Sequence, residues 1–320
     1  MSRNTSTSIT LSGVLVLGVL FSLTAYRASA ADNRSTWGAN YFPDVPLVTQ
    51  DGKTVHFYTD LLKGKMVVIN FIYTKCTDSC PMETAKLAQV QRLLGDRMGR
   101  DVFFYSISID PQRDTPAELQ TYADKFHVKP GWLFLTGDKV DVELVRKKLG
   151  QAARPGENSL RAHSTSITIG NEETGQWMQD SALDDTNYMA IMIGDWLSSW
   201  HGPSAGKSYP VVHAVDADRG AYLFRTRCAA CHTIGQGDSV GPDLHGVTNV
   251  RSAAWLTQFI KTPDKLLSER DPIATSLYNN YKQVPMPNLR LGDPDVDALI
   301  TYLQTKAVGR NVETETKSVK

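Results

Sequence analysis

Met66-Val-Val-Ile-Asn-Phe-Ile-Tyr73-Thr-Lys-Cys76-Thr-Asp-Ser-Cys80-Pro81 decides how the first half of the chain folds. Its first eight residues are almost continuously apolar, as expected of a strand buried on both faces. Two thiols follow at C-x-x-x-C spacing. Helical periodicity then sets in, with Leu87, Val90, Leu93 and Leu94 on one face of 82–98. The stretch reads strand, dithiol loop, helix. A thiol beside a helix N-terminus feels partial positive charge, which lowers its pKa and favours thiolate. Thiolates are nucleophiles, and they are also soft ligands that select Cu(I). These residues alone support thiol–disulfide exchange and copper binding equally.

Further strands are expected at Asp101 to Ile109, Trp132 to Leu135 and Ser164 to Ile169. Helices are expected at 116–126, Val140 to Leu149 and Asn187 to Trp200. Alternation of strand and helix implies an α/β sheet with right-handed crossovers. Residues 199–213 are rich in Gly, Pro and Ser and read as a linker. From 214 the pattern turns helical and strand-poor. Ala253 to Lys261 is one helix. Pro294 to Lys306 is a last one, with Asp293 suited to its N-cap. The domains are therefore 31–198, a small all-α domain at 214–307, and a polar tail at 308–320 expected to be disordered.

Cys228-Ala-Ala-Cys231-His232 opens the second domain. C-x-x-C-H is the covalent attachment motif of one c-type haem: the cysteines form thioethers and the histidine ligates iron. Met286 is the only methionine after Met192, so this domain has no other thioether to set opposite His232. His245 is the rival sixth ligand, and a core-filling role is the plain alternative for Met286. Gly241-Pro242-Asp-Leu244, Met286-Pro287 and the terminal helix complete a resemblance to class I cytochrome c. That resemblance implies His232 and Met286 as axial ligands and a Pro242 carbonyl accepting a hydrogen bond from His232.

The first thirty residues resemble an export signal. Ile9 to Ala25 is mostly apolar, and Ala28-Ser29-Ala30 suits cleavage before Ala31. An uncleaved anchor is the alternative, although seventeen residues are short for a span, which needs roughly 20. Membrane contact is expected only if this segment is retained. Either way the folded part is expected outside the cytoplasm, in the periplasm, where haem c is attached. Lys plus Arg and Asp plus Glu balance at 34 each. Nothing forms a polybasic footprint, so nucleic acid is not an expected partner.

The dithiol stretch also carries a family resemblance. Phe71-Ile-Tyr73-Thr74-Lys-Cys76-Thr-Asp78-Ser-Cys80-Pro81 is followed by Ser108-Ile-Asp110-Pro111-Gln-Arg113-Asp114-Thr115-Pro116 and by Arg161-Ala-His163-Ser-Thr. Over 40–200 this combination resembles the Sco/SenC family. The resemblance implies a thioredoxin-like fold binding one copper through Cys76, Cys80 and His163. It also implies a part in assembling the dinuclear copper centre of cytochrome c oxidase, with the copper-bearing subunit as partner, or in reducing that subunit's cysteines. Lys75 and Thr77 stand where many members have histidine and proline. Lys75 either favours thiolate by its charge or is simply solvated. Asp78 either braces the site or shapes the turn, and Asp110 is expected to shape the loop after its strand. Met189 and Met192 have helical spacing and read as core; Met178, His56, His127, His201 and His213 show no ligand pattern.

Two functions of different class follow. One is a copper-binding assembly factor whose haem connects it to respiratory electron carriers. The other is a thiol–disulfide oxidoreductase or redox sensor using Cys76 and Cys80. Electron number favours copper: haem and Cu(I)/Cu(II) each move one electron, whereas a dithiol moves two.

Overall fold

The computed structural model describes residues 37–153, 156, 164–197 and 218–316. The first domain is built on one seven-stranded sheet in the order β2-β1-β5-β4-β3-β6-β7. Its strands are β1 (Pro46–Thr49), β2 (Thr54–His56), β3 (Met66–Ile72), β4 (Val102–Ser108), β5 (Trp132–Gly137), β6 (Ser166–Asn171) and β7 (Gln176–Ser181). The three central strands β3, β4 and β5 run parallel, with Ile69 opposite Tyr105 and Tyr105 opposite Leu133. β6 joins β3 antiparallel, and β1 joins β5 antiparallel, so the sheet is mixed. The helices are α1 (Cys80–Leu94), α2 (Pro116–Lys125), α3 (Lys139–Lys148) and α4 (Thr186–Ile191).

The run in β3, apolar but for Asn70, has a direct cause. Met66, Val68 and Ile72 enter one core, together with Leu87, Val90 and Leu94 of α1 and Leu119 of α2. Val67, Ile69 and Phe71 enter the core on the other face, with Val142 and Val145 of α3. Side chains alternate across a strand, so covering both faces favours apolar residues throughout, and the one polar exception, Asn70, accepts a hydrogen bond from the Ser106 hydroxyl at 2.7 Å. Local chemistry starts the helices. Thr115 caps α2, accepting a hydrogen bond from Glu118 N at 3.3 Å ahead of Pro116. Asp138 and Asp185 cap α3 and α4 in the same way.

The second domain is helical. It contains α5 (Arg219–Leu223), continued by a wider turn Phe224–Cys228, then α6 (Val247–Val250), α7 (Ala253–Lys261), α8 (Pro263–Ser268), α9 (Pro272–Asn280) and α10 (Asp293–Thr316). Leu223, Leu256, Ile260, Val296, Leu299 and Ile300 form its core. α5 crosses α10 so closely that a Cβ on Gly220 would lie 2.2 Å from the Ala298 carbonyl oxygen. Only glycine permits that approach.

Several boundaries differ from the sequence expectation. α1 begins at Cys80, so Cys80 is itself helical, and it ends where Gly95 takes φ 54°. The helix expected from Asn187 divides into α4 and a wider turn, Met192–Trp196. α10 begins at Asp293, and Gly292 rather than Asp293 supplies the carbonyl that receives the first helical N–H groups. Its backbone stays helical to Thr316, past Lys306 and into the segment expected to be disordered. Among the described residues, no helix is long and apolar enough to cross a membrane. The expected signal or anchor at 1–30, the linker at 199–213 and His163, His201 and His213 lie outside the described residues.

Candidate functional site

The dithiol loop hangs between the end of β3 and the start of α1. Cys76 N–H donates to the Tyr73 carbonyl at 3.1 Å, closing the turn that brings the first thiol back over the strand end. Cys80 occupies the first turn of α1, with Pro81 beside it where a missing N–H costs nothing. Both thiols are buried, Cys76 at 2% and Cys80 at 0% exposure. They are hydrogen-bonded to each other, and the Tyr73 hydroxyl is hydrogen-bonded to Cys76.

Asp114 fixes this loop from beneath. Its carboxylate, 1% exposed, accepts from Thr74 N at 3.0 Å, Thr74 Oγ1 at 2.6 Å and Ser108 Oγ at 2.5 Å. One buried charge thus ties the loop's first residue to the end of β4. Asp110 shapes the following turn as expected: its carbonyl accepts from Arg113 N and Asp114 N, and its side chain pairs with Arg113 at 3.1 Å. Met189 and Met192 are buried in the core, as their spacing indicates.

Electrostatics correct one expectation. The helix N-terminus was expected to lower a thiol pKa. Burial instead pushes the Cys80 thiol well up, with further upward push from the adjacent Cys76 and the buried Glu83. Desolvation of a fully buried sulfur outweighs the modest pull of a helix N-terminus. Such a thiol favours its protonated form until something positive replaces the proton. Among the described residues no cluster of three His, Cys, Asp or Glu side chains is placed to hold a metal ion. The dithiol supplies two soft donors; the third expected donor, His163, lies outside the described residues.

The second candidate site is a cavity of about 640 Å³ in the helical domain. Cys228, Cys231, His232 and Met286 border it, with Trp255, Leu299 and other apolar side chains completing the walls. Two features prepare His232. Its Nδ1–H donates to the Pro242 carbonyl at 2.9 Å, which leaves Nε2 as the nitrogen available to a metal. A Cβ on Gly241 would stand 2.6 Å from His232 Cε1, so glycine lets the imidazole lie flat on that loop. Burial lowers the His232 pKa, although the Pro242 carbonyl opposes this, and a neutral imidazole is the form that ligates. Burial also pushes Cys228 and Cys231 up to about 12.

Asp243 organises the next loop. It accepts from Gly235 N at 2.7 Å, Gly237 N at 2.6 Å and His245 N at 2.8 Å. Burial works against its ionisation, but these backbone donors outweigh it and hold the carboxyl well below the usual range. His245 and Met286 both border the cavity; Met286 packs against the helical core, whereas His245 is exposed. A covalent haem fits what these residues offer: two thiols at attachment spacing, a pre-oriented imidazole and an apolar enclosure. Cys228 and Cys231 are consistent with a haem c attachment motif.

The two sites meet. Thr77 and Pro81, from within and just after the dithiol loop, border the same cavity as Cys228 and His232. Ala230 and Val240 share one buried cluster with Cys76 and Cys80. Gln89 Nε2 on α1 donates to the Ala229 carbonyl, inside the C-x-x-C-H segment, at 2.7 Å. Asp78 faces Arg290 of the helical domain at 3.7 Å, and Lys75 is exposed. Sequence reasoning missed Gln89 and the brace formed by Asp114. Asp114 lay inside a quoted motif, but only the fold brings it under Thr74; nothing in the sequence pointed to Gln89.

A thioredoxin-like dithiol domain followed by a helical cytochrome c-like domain is the class these features define. Residues 35–188 match the SCO1/SenC family, and residues 217–307 match the cytochrome c family. The SCO1 protein homolog of Bacillus subtilis is 37% identical over 149 residues, covering 45% of this chain and 75% of that protein. A cytochrome c from Stellaria longipes is 36% identical over 99 residues, covering 28% of this chain and 91% of that protein. The SCO2-like protein of Rickettsia conorii is 35% identical over 105 residues, and the match covers 33% of this chain and about half, 49%, of that relative's length. The chain belongs to the SCO1/SenC family through its first domain, to which a cytochrome c domain is fused.

Proposed function

We propose that this chain is an extracytoplasmic copper-handling redox protein. In this reading Cys76, Cys80 and His163 take copper, and Cys228, Cys231, His232 and Met286 hold one haem c. Its service is assembly of the copper centre of cytochrome c oxidase, with that enzyme's copper-bearing subunit as partner. The haem supplies one-electron redox capacity and a link to respiratory electron carriers.

One observation carries the reading: the loop bearing Cys76 and Cys80 forms part of the wall of the cavity bordered by Cys228, His232 and Met286. A fusion that merely tethered two independent activities has no need to place them wall to wall. The donor set supports copper. Two adjacent buried sulfurs suit a soft monovalent ion, which replaces a proton that burial holds on Cys80.

A second reading rests on the hydrogen bond between the two thiols, which makes Cys76 and Cys80 a dithiol pair of the kind that exchanges with disulfides. That reading makes the chain a thiol–disulfide oxidoreductase. Its difficulty is access: a partner's disulfide must first uncover thiols that are 2% and 0% exposed.

His163→Ala separates the two. The expected outcome is sharply weakened copper binding with the Cys76/Cys80 disulfide still able to form and break. Copper-centre maturation in cells should fail with it. If maturation survives His163→Ala while Cys76→Ser abolishes it, thiol exchange is the function and copper binding is incidental.

A further inference from the structure

A polar cleft of about 300 Å³ lies away from the haem cavity and shares none of its lining residues. Its first wall is α1, through Lys86, Gln89, Arg92 and Leu93. Its second is the start of α4, at Asp185, Thr186 and Asn187. Its third is the segment running into the C-x-x-C-H motif, through Arg225, Thr226 and Ala229. Both domains therefore build it.

The cleft is cationic. Lys86, Arg92 and Arg225 line it, and Arg227 is near enough to act on Lys86. The one lining acid, Asp185, has an oxygen already engaged as the cap of α4, accepting from Asn187 N at 2.9 Å and Tyr188 N at 3.1 Å. Lys86 is 3% exposed, and its ammonium donates to the Leu183 and Asp184 carbonyls at 2.9 and 2.8 Å. An ammonium carries three donors, so two carbonyls leave one over. Burial lowers its pKa to about 8, Arg227 adds to that, and Asp185 and Asp184 oppose it. A buried ammonium under such pressure is stabilised by an added negative charge. The cleft has room for an anion the size of phosphate together with water.

We propose that this cleft is a binding site for a small multivalent oxyanion of the phosphate type, held by Lys86 and Arg92 from one domain and Arg225 from the other. Guanidinium groups match tetrahedral oxyanions with paired donors, and lysine adds a point charge. Thr186 adds a hydroxyl to the lining, whereas Thr226 gives its hydroxyl proton to the Tyr222 carbonyl at 2.8 Å. Because the cations come from both domains, the bound anion ties them together. It does so beside the Gln89 to Ala229 hydrogen bond, which anchors the haem-attachment segment to α1.

The test uses the haem-loaded full chain and inorganic phosphate. Phosphate is titrated against chloride at matched ionic strength, and binding is read by ³¹P NMR and calorimetry. The expected result is saturable binding of one phosphate per chain, with a phosphate-dependent rise in the thermal midpoint. Arg225→Gln and Arg92→Gln, one on each domain's wall, should each weaken binding by about tenfold, the loss of one charge-assisted contact. Arg225→Lys should retain part of it. Arg100→Gln, on an exposed residue that does not line the cleft, should leave binding unchanged. Lys86→Met is the stronger variant but risks the fold, so the rim arginines decide. Phosphate binding that fails to saturate, or that is unchanged in both Arg225→Gln and Arg92→Gln, overturns the proposal.

Discussion

At the scale of single residues, the dithiol loop depends on a carboxylate rather than on its cysteines. Asp114 accepts three hydrogen bonds that all end on the loop or on β4. Asp114→Asn keeps the shape but removes the charge and one acceptor, so at least one donor loses its partner. Hydrogen bonds to a charged group contribute about 1.5–3 kcal/mol each. Asp114→Asn should therefore lower stability by roughly 2 kcal/mol in a denaturant titration and weaken copper binding more than a distant change of equal cost. If copper affinity follows stability alone, the brace has no special hold on the loop. Met286 invites a separate measurement. Met286→Ala should leave the haem covalently attached, abolish the sulfur–iron absorption band and lower the reduction potential, because an axial thioether is lost. An unchanged spectrum would move the ligand role to His245, which borders the same cavity.

At the scale of elements, legibility followed burial. β3 and β4 were readable because both faces are covered, so each position reports its surroundings. β1, β2 and β7 were not. β2 has three residues and no buried side chain, and β7 runs exposed, half-buried, exposed, exposed, half-buried, half-buried with no buried position, so neither carries the two-residue period of a strand. The short helices α6, α8 and α9 take four to nine residues each, below the length at which periodicity speaks, and of the three only α9 has a side-chain cap, Asp271. The haem-attachment motif was legible outright, since its chemistry is contiguous in sequence. The wall it shares with the dithiol loop was not, because that wall joins residues about 150 positions apart. The α5–α10 crossing offers a test at this scale. Gly220→Ala places a methyl 2.2 Å from the Ala298 carbonyl oxygen and 2.6 Å from Tyr302 Cβ. Overpacking of this kind costs about 1–3 kcal/mol. The thermal midpoint of the helical domain should fall, while copper binding by the first domain stays unchanged. A full-strength midpoint would show that the helices separate freely.

At the scale of the whole molecule, the described residues of the two domains meet through apolar as well as polar contacts. Gln89 donates to the Ala229 carbonyl at 2.7 Å, Lys282 Nζ donates to the Asp124 carbonyl at 3.2 Å, and His127 is hydrogen-bonded to the Ser239 backbone. The Asp78–Arg290 pair is exposed on both sides, and pairs of that kind contribute about 0–1 kcal/mol. Ala230 and Val240 add apolar contact at the dithiol. The docked arrangement has a kinetic signature. With Thr77 and Pro81 in the cavity wall, the proposed copper and haem sites adjoin inside one molecule. Rapid anaerobic mixing of Cu(I) with the oxidised full chain should reduce the haem with a phase whose rate is independent of protein concentration. A Cys76→Ser/Cys80→Ser variant should lack that phase. Gln89→Ala, which removes the anchor but none of the proposed copper or haem ligands, should slow it while leaving copper affinity and the haem spectrum in place. A rate that scales with protein concentration, or one indifferent to both variants, would mean that electrons travel between molecules. The haem would then serve an external carrier, and the shared wall would be a consequence of packing alone.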